Sequence, residues 1–330
     1  MTPFWDTHRG KSYLEAVKYN ISTSKCVVNV VDGLTQTNFR PKNFSEYIGQ
    51  ARVKERIEYY VKGTKDRNRI FPHTLIHGSA GMGKTTLAQI LANILGVTFI
   101  ETIASNLEDI ETIQNKIQLT DGGILFLDEI HSLPRNMAEK FYPIMEDFRY
   151  ENVNIKPFTL VGATTEFGEM LQDRKPFVDR FKNIIELEDY TIGDLVTIGK
   201  QYKDREFRRD IVEISQLMLI AENCRETPRN LLRLLEATIY FRGNTRKVLD
   251  NFGIIRQGFT KKDVKILEYL VSNKVCGLQT IANYLDTSVK NYIFEIEPYL
   301  LKKDIIMRTS RGRKITDKGL FVLEQLKKEL

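Results

Sequence analysis

Cysteine is scarce: Cys26, Cys224 and Cys276 are the only three in 330 residues, far apart and with no CxxC pair. That argues against a disulfide framework or a zinc site and leaves buried thiols as the simpler reading. No apolar run approaches the roughly 20 residues needed to span a bilayer. Residues 1–10 hold no apolar stretch of secretory type, so the expectation is a cytoplasmic chain without membrane contact. Sequence repeats and low-complexity tracts are also missing, as is the N-K-x-D that GTP-specific switch proteins use to read guanine. Negative charge is short in one place only. Residues 253–330 carry 15 Lys+Arg against 9 Asp+Glu, whereas the rest of the chain balances at 34 of each, so the net +6 sits in the last quarter. A polyanion-facing module and a merely solvated basic surface fit that surplus equally.

What is present has a clear order. The length suits two or three domains. Residues 1–38 mix aromatics with polar residues and show no long period; a short helix around 12–19 and a strand around 25–31 are expected there. Residues 48–63 read as a helix, 74–77 as a short buried strand, 78–84 as a glycine-rich loop and 85–95 as a helix. Apolar strands follow at 124–127 and 158–162. Strands alternating with helices predict a parallel α/β sheet. From 191 to about 242 the pattern is helical, and from 261 to 330 it reads helix, helix, helix, hairpin, helix.

Gly78-Ser-Ala-Gly-Met-Gly-Lys-Thr85 matches G-x-x-x-x-G-K-[ST] in full, after an apolar strand and at the opening of a helix. Gly78, Gly81 and Gly83 let the backbone curl so that N–H groups point inward at phosphate oxygens, and the helix N-terminus adds partial positive charge. Lys84 is expected on the β- and γ-phosphates, Thr85 on Mg²⁺ and Thr86 on the α-phosphate side. Further on, Ile124-Leu-Phe-Leu-Asp-Glu129 ends a buried strand in two carboxylates, at the sheet edge where such folds bind ligands. Asp128 is expected to hold Mg²⁺ and Glu129 to orient and activate water. An ordinary strand end with a solvated turn would look similar alone; beside the phosphate loop, hydrolysis of ATP is the better reading.

These motifs, with Gly162-Ala-Thr-Thr165, Asp179-Arg-Phe181 and Thr227-Pro-Arg229, resemble the AAA+ ATPases. More narrowly, Arg40-Pro-Lys-Asn-Phe-Ser-Glu-Tyr-Ile-Gly-Gln50, Leu127-Asp-Glu-Ile-His131, Tyr142-Pro-Ile-Met-Glu-Asp-Phe148, Phe158-Thr-Leu-Val-Gly-Ala-Thr-Thr165, Glu297-Pro-Tyr-Leu300 and Arg308-Thr-Ser-Arg-Gly-Arg313 resemble the RuvB family of Holliday-junction branch-migration motors, in order over residues 39–330. The resemblance implies an N-terminal extension at 1–38, a large α/β ATPase domain at 39–190, a helical lid at 191–252 and a winged-helix DNA-binding domain at 253–330. It implies that Phe39, Arg40, Tyr47 and Ile48 line the base pocket and that Thr165 is a first sensor of the γ-phosphate. Glu146, Asp147 and Phe148 would contact nucleotide or a neighbouring subunit, Tyr190 nucleotide, and Arg229 would be a second sensor. Arg180 would be an arginine finger reaching the next copy's ATP, which implies a homo-oligomeric, hexameric ring. Arg308 and Arg313, with Arg311 between them, would touch phosphates of a four-way junction or duplex DNA. His77 and His131 lack metal-spaced partners and read as core or turn packing.

Departures from the family pattern mark a divergent member. The family's long β-hairpin, its docking surface for RuvA, has about half its usual length at 149–157, which argues against a RuvA-type partner. Val178 stands where a second arginine is usual and Glu226 where glycine is. An ATP-driven branch-migration motor is therefore weighed against a clamp or helicase loader, and against a DNA-binding regulator that uses ATP only to oligomerise.

Overall fold

The computed structural model describes residues 39–330 and, before them, only the strands Val30–Val31 and Leu34–Thr35, which pair antiparallel. The helix expected around 12–19, most of the strand expected around 25–31, and Cys26 lie outside the described residues. Cys224 and Cys276 are buried free thiols.

The first long helix, α1 (Ala51–Asp66), buries Val53, Ile57 and Val61, an i, i+4, i+8 stripe. It begins after residue 48 because Gly49 and Gln50 both take left-handed backbone, with φ of 72° and 55°. The Gln50 side-chain amide then clamps the Glu188 backbone, donating to its carbonyl and accepting its N–H. Strand β1 (Thr74–His77) and helix α2 (Lys84–Leu95) follow, then β2 (Phe99–Ile103), α3 (Ile110–Thr120), β3 (Ile124–Asp128), α4 (Arg135–Asp147), β4 (Thr159–Thr164) and β5 (Asn183–Glu186). The five strands form one parallel sheet in the order β2-β3-β4-β1-β5. Alternation along each strand supplies both faces. Ile76, Phe126, Val161 and Ala163 pack with Leu87, Ile90 and Leu91 of α2 and the α1 stripe. Leu75, Leu125, Leu127 and Leu160 pack with Ile113 and Ile117 of α3 and Phe141 and Ile144 of α4.

Four helices come next: α5 (Ile192–Glu206), α6 (Ile214–Asn223), α7 (Pro228–Tyr240) and α8 (Thr245–Asn251). Their Leu195, Leu217, Leu231 and Leu235 continue the α1–α2 side of the core. The C-terminal residues have a hydrophobic cluster of their own, built on Ile266, Leu267, Ile281, Tyr292, Leu300 and Leu323. It holds α9 (Lys261–Asn273), α10 (Leu278–Tyr284), a wide π-type turn at Tyr292–Ile296 leading into α11 (Glu297–Lys302), the antiparallel hairpin β6 (Ile306–Thr309) with β7 (Gly312–Ile315), and α12 (Asp317–Lys328). Among the described residues no helix is long and apolar enough to cross a membrane.

Candidate active site

The loop after β1 curls through glycines at φ values that disfavour any side chain: 145° at Gly78, 78° at Gly81 and 94° at Gly83. Space is short as well. A Cβ on Gly81 would lie 2.9 Å from the Arg229 Cβ, and one on Gly83 would lie 3.2 Å from the Tyr47 hydroxyl. No side chain caps α2 and no acid occupies its first turn, so its leading N–H groups face the loop's cavity with their partial positive charge. Lys84 is 7% exposed, and its ammonium donates to the carbonyls of Gly78 (2.8 Å) and Ser79 (3.0 Å). Burial pushes the Lys84 ammonium below its ordinary value, Glu129 and Asp128 oppose that, and Arg229 adds to it. A polyanion would relieve the burial cost, so the chemistry of the donor set fits a triphosphate.

At the end of β3, Asp128 accepts the Glu129 N–H at 3.0 Å. Glu129 itself has φ 50°, left-handed for a non-glycine residue, a strained backbone of the kind that clusters at functional sites. One histidine is tied to it: His131 Nε2 lies 3.2 Å from both Glu129 Oε2 and Glu166 Oε1, and Nδ1 lies 3.1 Å from the Thr164 hydroxyl. Thr164 also accepts the Glu166 N–H at 3.0 Å, so the network spans the ends of β3 and β4. Burial raises the Glu166 carboxyl, an effect that His131 opposes. The bare strand of Gly162 makes room for this turn, since a Cβ there would lie 2.5 Å from Ile130 Cδ1. His131 is therefore not plain turn packing. Sequence reading missed it, and Glu166 and Thr164 with it, because it looked for metal spacing; the signal was a histidine two residues past the acid pair. His77, by contrast, stacks on Phe167 at 4.0 Å between ring centres, as packing would have it.

Two tyrosines and an arginine close over the loop. Tyr47 donates to the Gly83 carbonyl (3.4 Å) and Tyr190 to that of Met82 (3.1 Å). Burial raises both phenols, so both stay neutral donors. Arg229, in the first turn of α7, lies against Gly81. Thr85 and Thr86 are half-buried in the first turn of α2, and Thr165 is half-buried just past β4. Phe39 instead meets Tyr202 edge-on at 4.9 Å, Arg40 approaches Glu101 at 3.8 Å, and Ile48 is half-buried beside Tyr47 in sequence.

Glu146 and Arg180 are brought together elsewhere, at the opposite end of the sheet, where Phe148 packs beside His73. The register pairs Thr74 with Asn183 and His77 with Glu186, so Asn183, three residues after Arg180, is already one strand length of about 10 Å from the level of His77, which the phosphate loop follows. Its Nε sits 3.1 Å from Glu146 Oε1, its guanidinium 3.9 Å from the Tyr142 ring centre, and it donates to the Pro176 carbonyl. Phe148 packs by His73 and Phe158, and Asp147 is exposed. These four residues are remote from their own chain's phosphate loop.

On the C-terminal hairpin the three arginines differ. Arg313 Nε and Arg308 Nη2 both reach Glu297, a fully buried carboxylate; Arg308 does so at 2.8 Å. The Arg313 side chain is 13% exposed against 56% for Arg308, so Arg313 chiefly holds the hairpin on α11. Arg311 is exposed at the tip. The short hairpin after α4 pairs only Arg149–Tyr150 with Val153–Asn154.

Residues 39–187 match the family model "Holliday junction DNA helicase RuvB P-loop domain", and residues 256–324 match "RuvB C-terminal winged helix domain". The chain is 35% identical over 315 residues to a Holliday junction branch migration complex subunit RuvB of Campylobacter hominis, covering 87% of this chain and 91% of that one. It is 33% identical to the corresponding subunit of Mycoplasmopsis pulmonis, covering 87% and 98%. The solved structure of the Thermotoga maritima RuvB Holliday junction branch migration motor aligns with a TM-score of 0.74 at 31% identity, over 86% of this chain and 98% of that one. An Aeropyrum pernix ORC2 structure shares the fold, with a TM-score of 0.52 at 15% identity.

Proposed function

The chain belongs to the RuvB family, and from that membership and the geometry above we propose that it is an ATP-driven DNA motor that hydrolyses ATP in a ring and drives Holliday-junction branch migration. The single observation behind this is the separation of the site into two halves. Lys84, Asp128 and Glu129 gather at one end of the sheet, and Arg180 sits at the other. A second copy, placed head to tail, brings the missing cation to the loop, and a head-to-tail contact closes into a ring, here of six copies.

Bound ATP supplies the scissile phosphate bond, and Mg²⁺ offsets the charge of its oxygens. The chain's own groups do the rest. Gly78 to Thr86 cradle phosphates through N–H groups, and Lys84 leaves its two carbonyls for phosphate oxygen. Thr85 and Asp128 hold the metal. Glu129 orients water at its carboxylate, with Thr165 and Arg229 reading the phosphate from β4 and α7. Tyr47 and Tyr190, with Ile48, fix the base side; Phe39 and Arg40 border it. Glu146, Asp147 and Phe148 act at the contact with the neighbouring copy. The separate C-terminal hydrophobic cluster supports a winged helix at 253–330, and the change from a parallel sheet to helices alone supports a large domain at 39–190 followed by a lid at 191–252, which share one core. Arg308 and Arg311 contact DNA phosphates; Arg313 contributes mainly by holding the hairpin. The site of action is the cytoplasm.

A four-way junction is expected to stimulate ATP hydrolysis and to be moved by the protein; hydrolysis with a junction that never moves contradicts the branch-migration reading. The two-residue strands at Arg149–Tyr150 and Val153–Asn154 favour a second reading, a clamp or helicase loader, because so short a hairpin offers little surface to a RuvA-type partner. A stable complex with a replication protein and little movement along DNA would identify that role.

A further inference from the structure

The loop between α6 and α7 carries two successive non-glycine residues in left-handed backbone, Arg225 (φ 54°) and Glu226 (φ 59°). Side chains disfavour this region, and it persists where neighbours over-determine it. Arg225 donates to the Gly258 carbonyl at 2.9 Å and to the carboxylate of Asp263, a residue with no exposed surface. Its guanidinium also lies 4.9 Å from the Tyr299 ring centre. Glu226 receives two ammoniums, Lys302 at 2.6 Å and Lys303, and Lys302 also meets Asp189 at 2.7 Å. Burial pushes the Glu226 carboxyl up, but the two lysines outweigh it and hold the group below its ordinary value.

The corners of this cluster lie at three meaningful places. Asp189 precedes Tyr190, whose hydroxyl holds the Met82 carbonyl of the phosphate loop. Glu226 lies three residues before Arg229, which touches Gly81 of the same loop, and Thr227 between them caps α7. Lys302 ends α11, the short helix whose first residue, Glu297, holds Arg308 and Arg313 of the hairpin. One six-residue helix thus joins the hairpin arginines to both walls of the nucleotide site.

We propose that Glu226, Lys302 and Lys303 are positioning residues that tie the placement of Arg229 over the phosphate loop to the DNA-contacting C-terminal unit. Contact of DNA with the hairpin is read at the nucleotide site through this cluster, and nucleotide is read at the hairpin by the same route, since such coupling is reciprocal. The inference rests on the ATPase and DNA-binding reading above.

Glu226→Gly tests it cleanly, because glycine suits the left-handed backbone and removes only the clasp. In the full chain, ATP hydrolysis and the affinity for a slowly hydrolysed ATP analogue are measured with and without a four-way junction, alongside junction affinity. Basal hydrolysis is expected within about twofold of wild type and junction affinity without nucleotide is expected to be unchanged, while the junction's effect on both nucleotide readouts, and with it the analogue's effect on junction affinity, falls roughly fivefold or more. Glu226→Lys combined with Lys303→Glu restores one ion pair and is expected to recover much of that effect. Full stimulation in Glu226→Gly, an equal loss of junction affinity in the absence of nucleotide, or no recovery in the charge swap overturns the proposal. A wild-type chain whose analogue affinity responds to the junction without hydrolysis, the response vanishing in Glu226→Gly, would uphold the coupling and sink the ATPase reading instead. A wild-type affinity and hydrolysis both indifferent to the junction would overturn the coupling.

Discussion

His73 sits just before β1 and joins two elements: its Nε2 bonds the Met145 carbonyl at 3.0 Å, and its Nδ1 accepts the Leu160 N–H at 2.9 Å. That pattern needs a neutral ring donating from Nε2, and burial lowers the pKa from 6.5 to about 4. The unfolded chain therefore takes up the proton first as pH falls. The stabilisation is present in full above 6.5 and is lost from 6.5 down towards 4. Between pH 8 and 5 this one ring is expected to remove about 2 kcal/mol of stability. His73→Gln should flatten that part of the pH dependence of chemical denaturation; an unchanged slope would show that the ring titrates normally. His131 predicts a kinetic effect. His131→Asn leaves the Glu129 carboxylate without its tether, and kcat is expected to fall roughly 10- to 100-fold with little change in KM. An equal rise in KM would place His131 in binding rather than positioning. Neither histidine was legible from sequence. A lone histidine carries no periodicity, and its role is decided by groups that the fold brings from β4 and α4.

At the scale of elements, legibility followed burial. The three strands read from sequence, β1, β3 and β4, are the central ones, and their continuous apolar runs reflect helices on both faces. The two unread strands, β2 and β5, are the sheet's edges. Glu101 and Glu186 interrupt their apolar pattern because an edge strand is only partly covered, and Thr102 and Asn183 interrupt it as buried polar residues, Asn183 donating to the Thr74 hydroxyl. The phosphate loop was legible in full, since its chemistry is local: glycine backbone, one lysine and a helix start. The hairpin arginines were only half legible. Three arginines near a glycine read alike, yet a buried Glu297 from α11 claims Arg313 and half of Arg308. Arg308→Ala with Arg311→Ala is accordingly expected to weaken DNA binding about equally on all sequences. It should also reduce the salt dependence, in the slope of log K against log salt, by roughly one unit per lost phosphate contact. Arg313→Ala is expected to lower stability more than that slope. A sequence-selective loss in the double variant would contradict phosphate contact.

For the whole molecule, the decisive feature is that Arg180 lies apart from the phosphate loop of its own chain, so on the proposed function no single copy completes the site. Arg180 is held at the strand starts by Glu146 and Tyr142, while Lys84 and Glu129 lie at the strand ends. The parallel sheet forces this division, because all strand starts lie at one end and all strand ends at the other. Hydrolysis is thus expected to depend on assembly, rising more steeply than linearly with protein concentration at low concentration. The most direct measurement mixes two inactive variants, Glu129→Gln, which keeps its finger, and Arg180→Ala, which keeps its acids. Each alone is expected to be nearly inactive, since a trans finger supplies ~10³-fold or more. The equimolar mixture is expected to regain about a quarter of wild-type hydrolysis, the share of interfaces that random head-to-tail mixing leaves intact. A mixture as inactive as its parts would contradict the shared site.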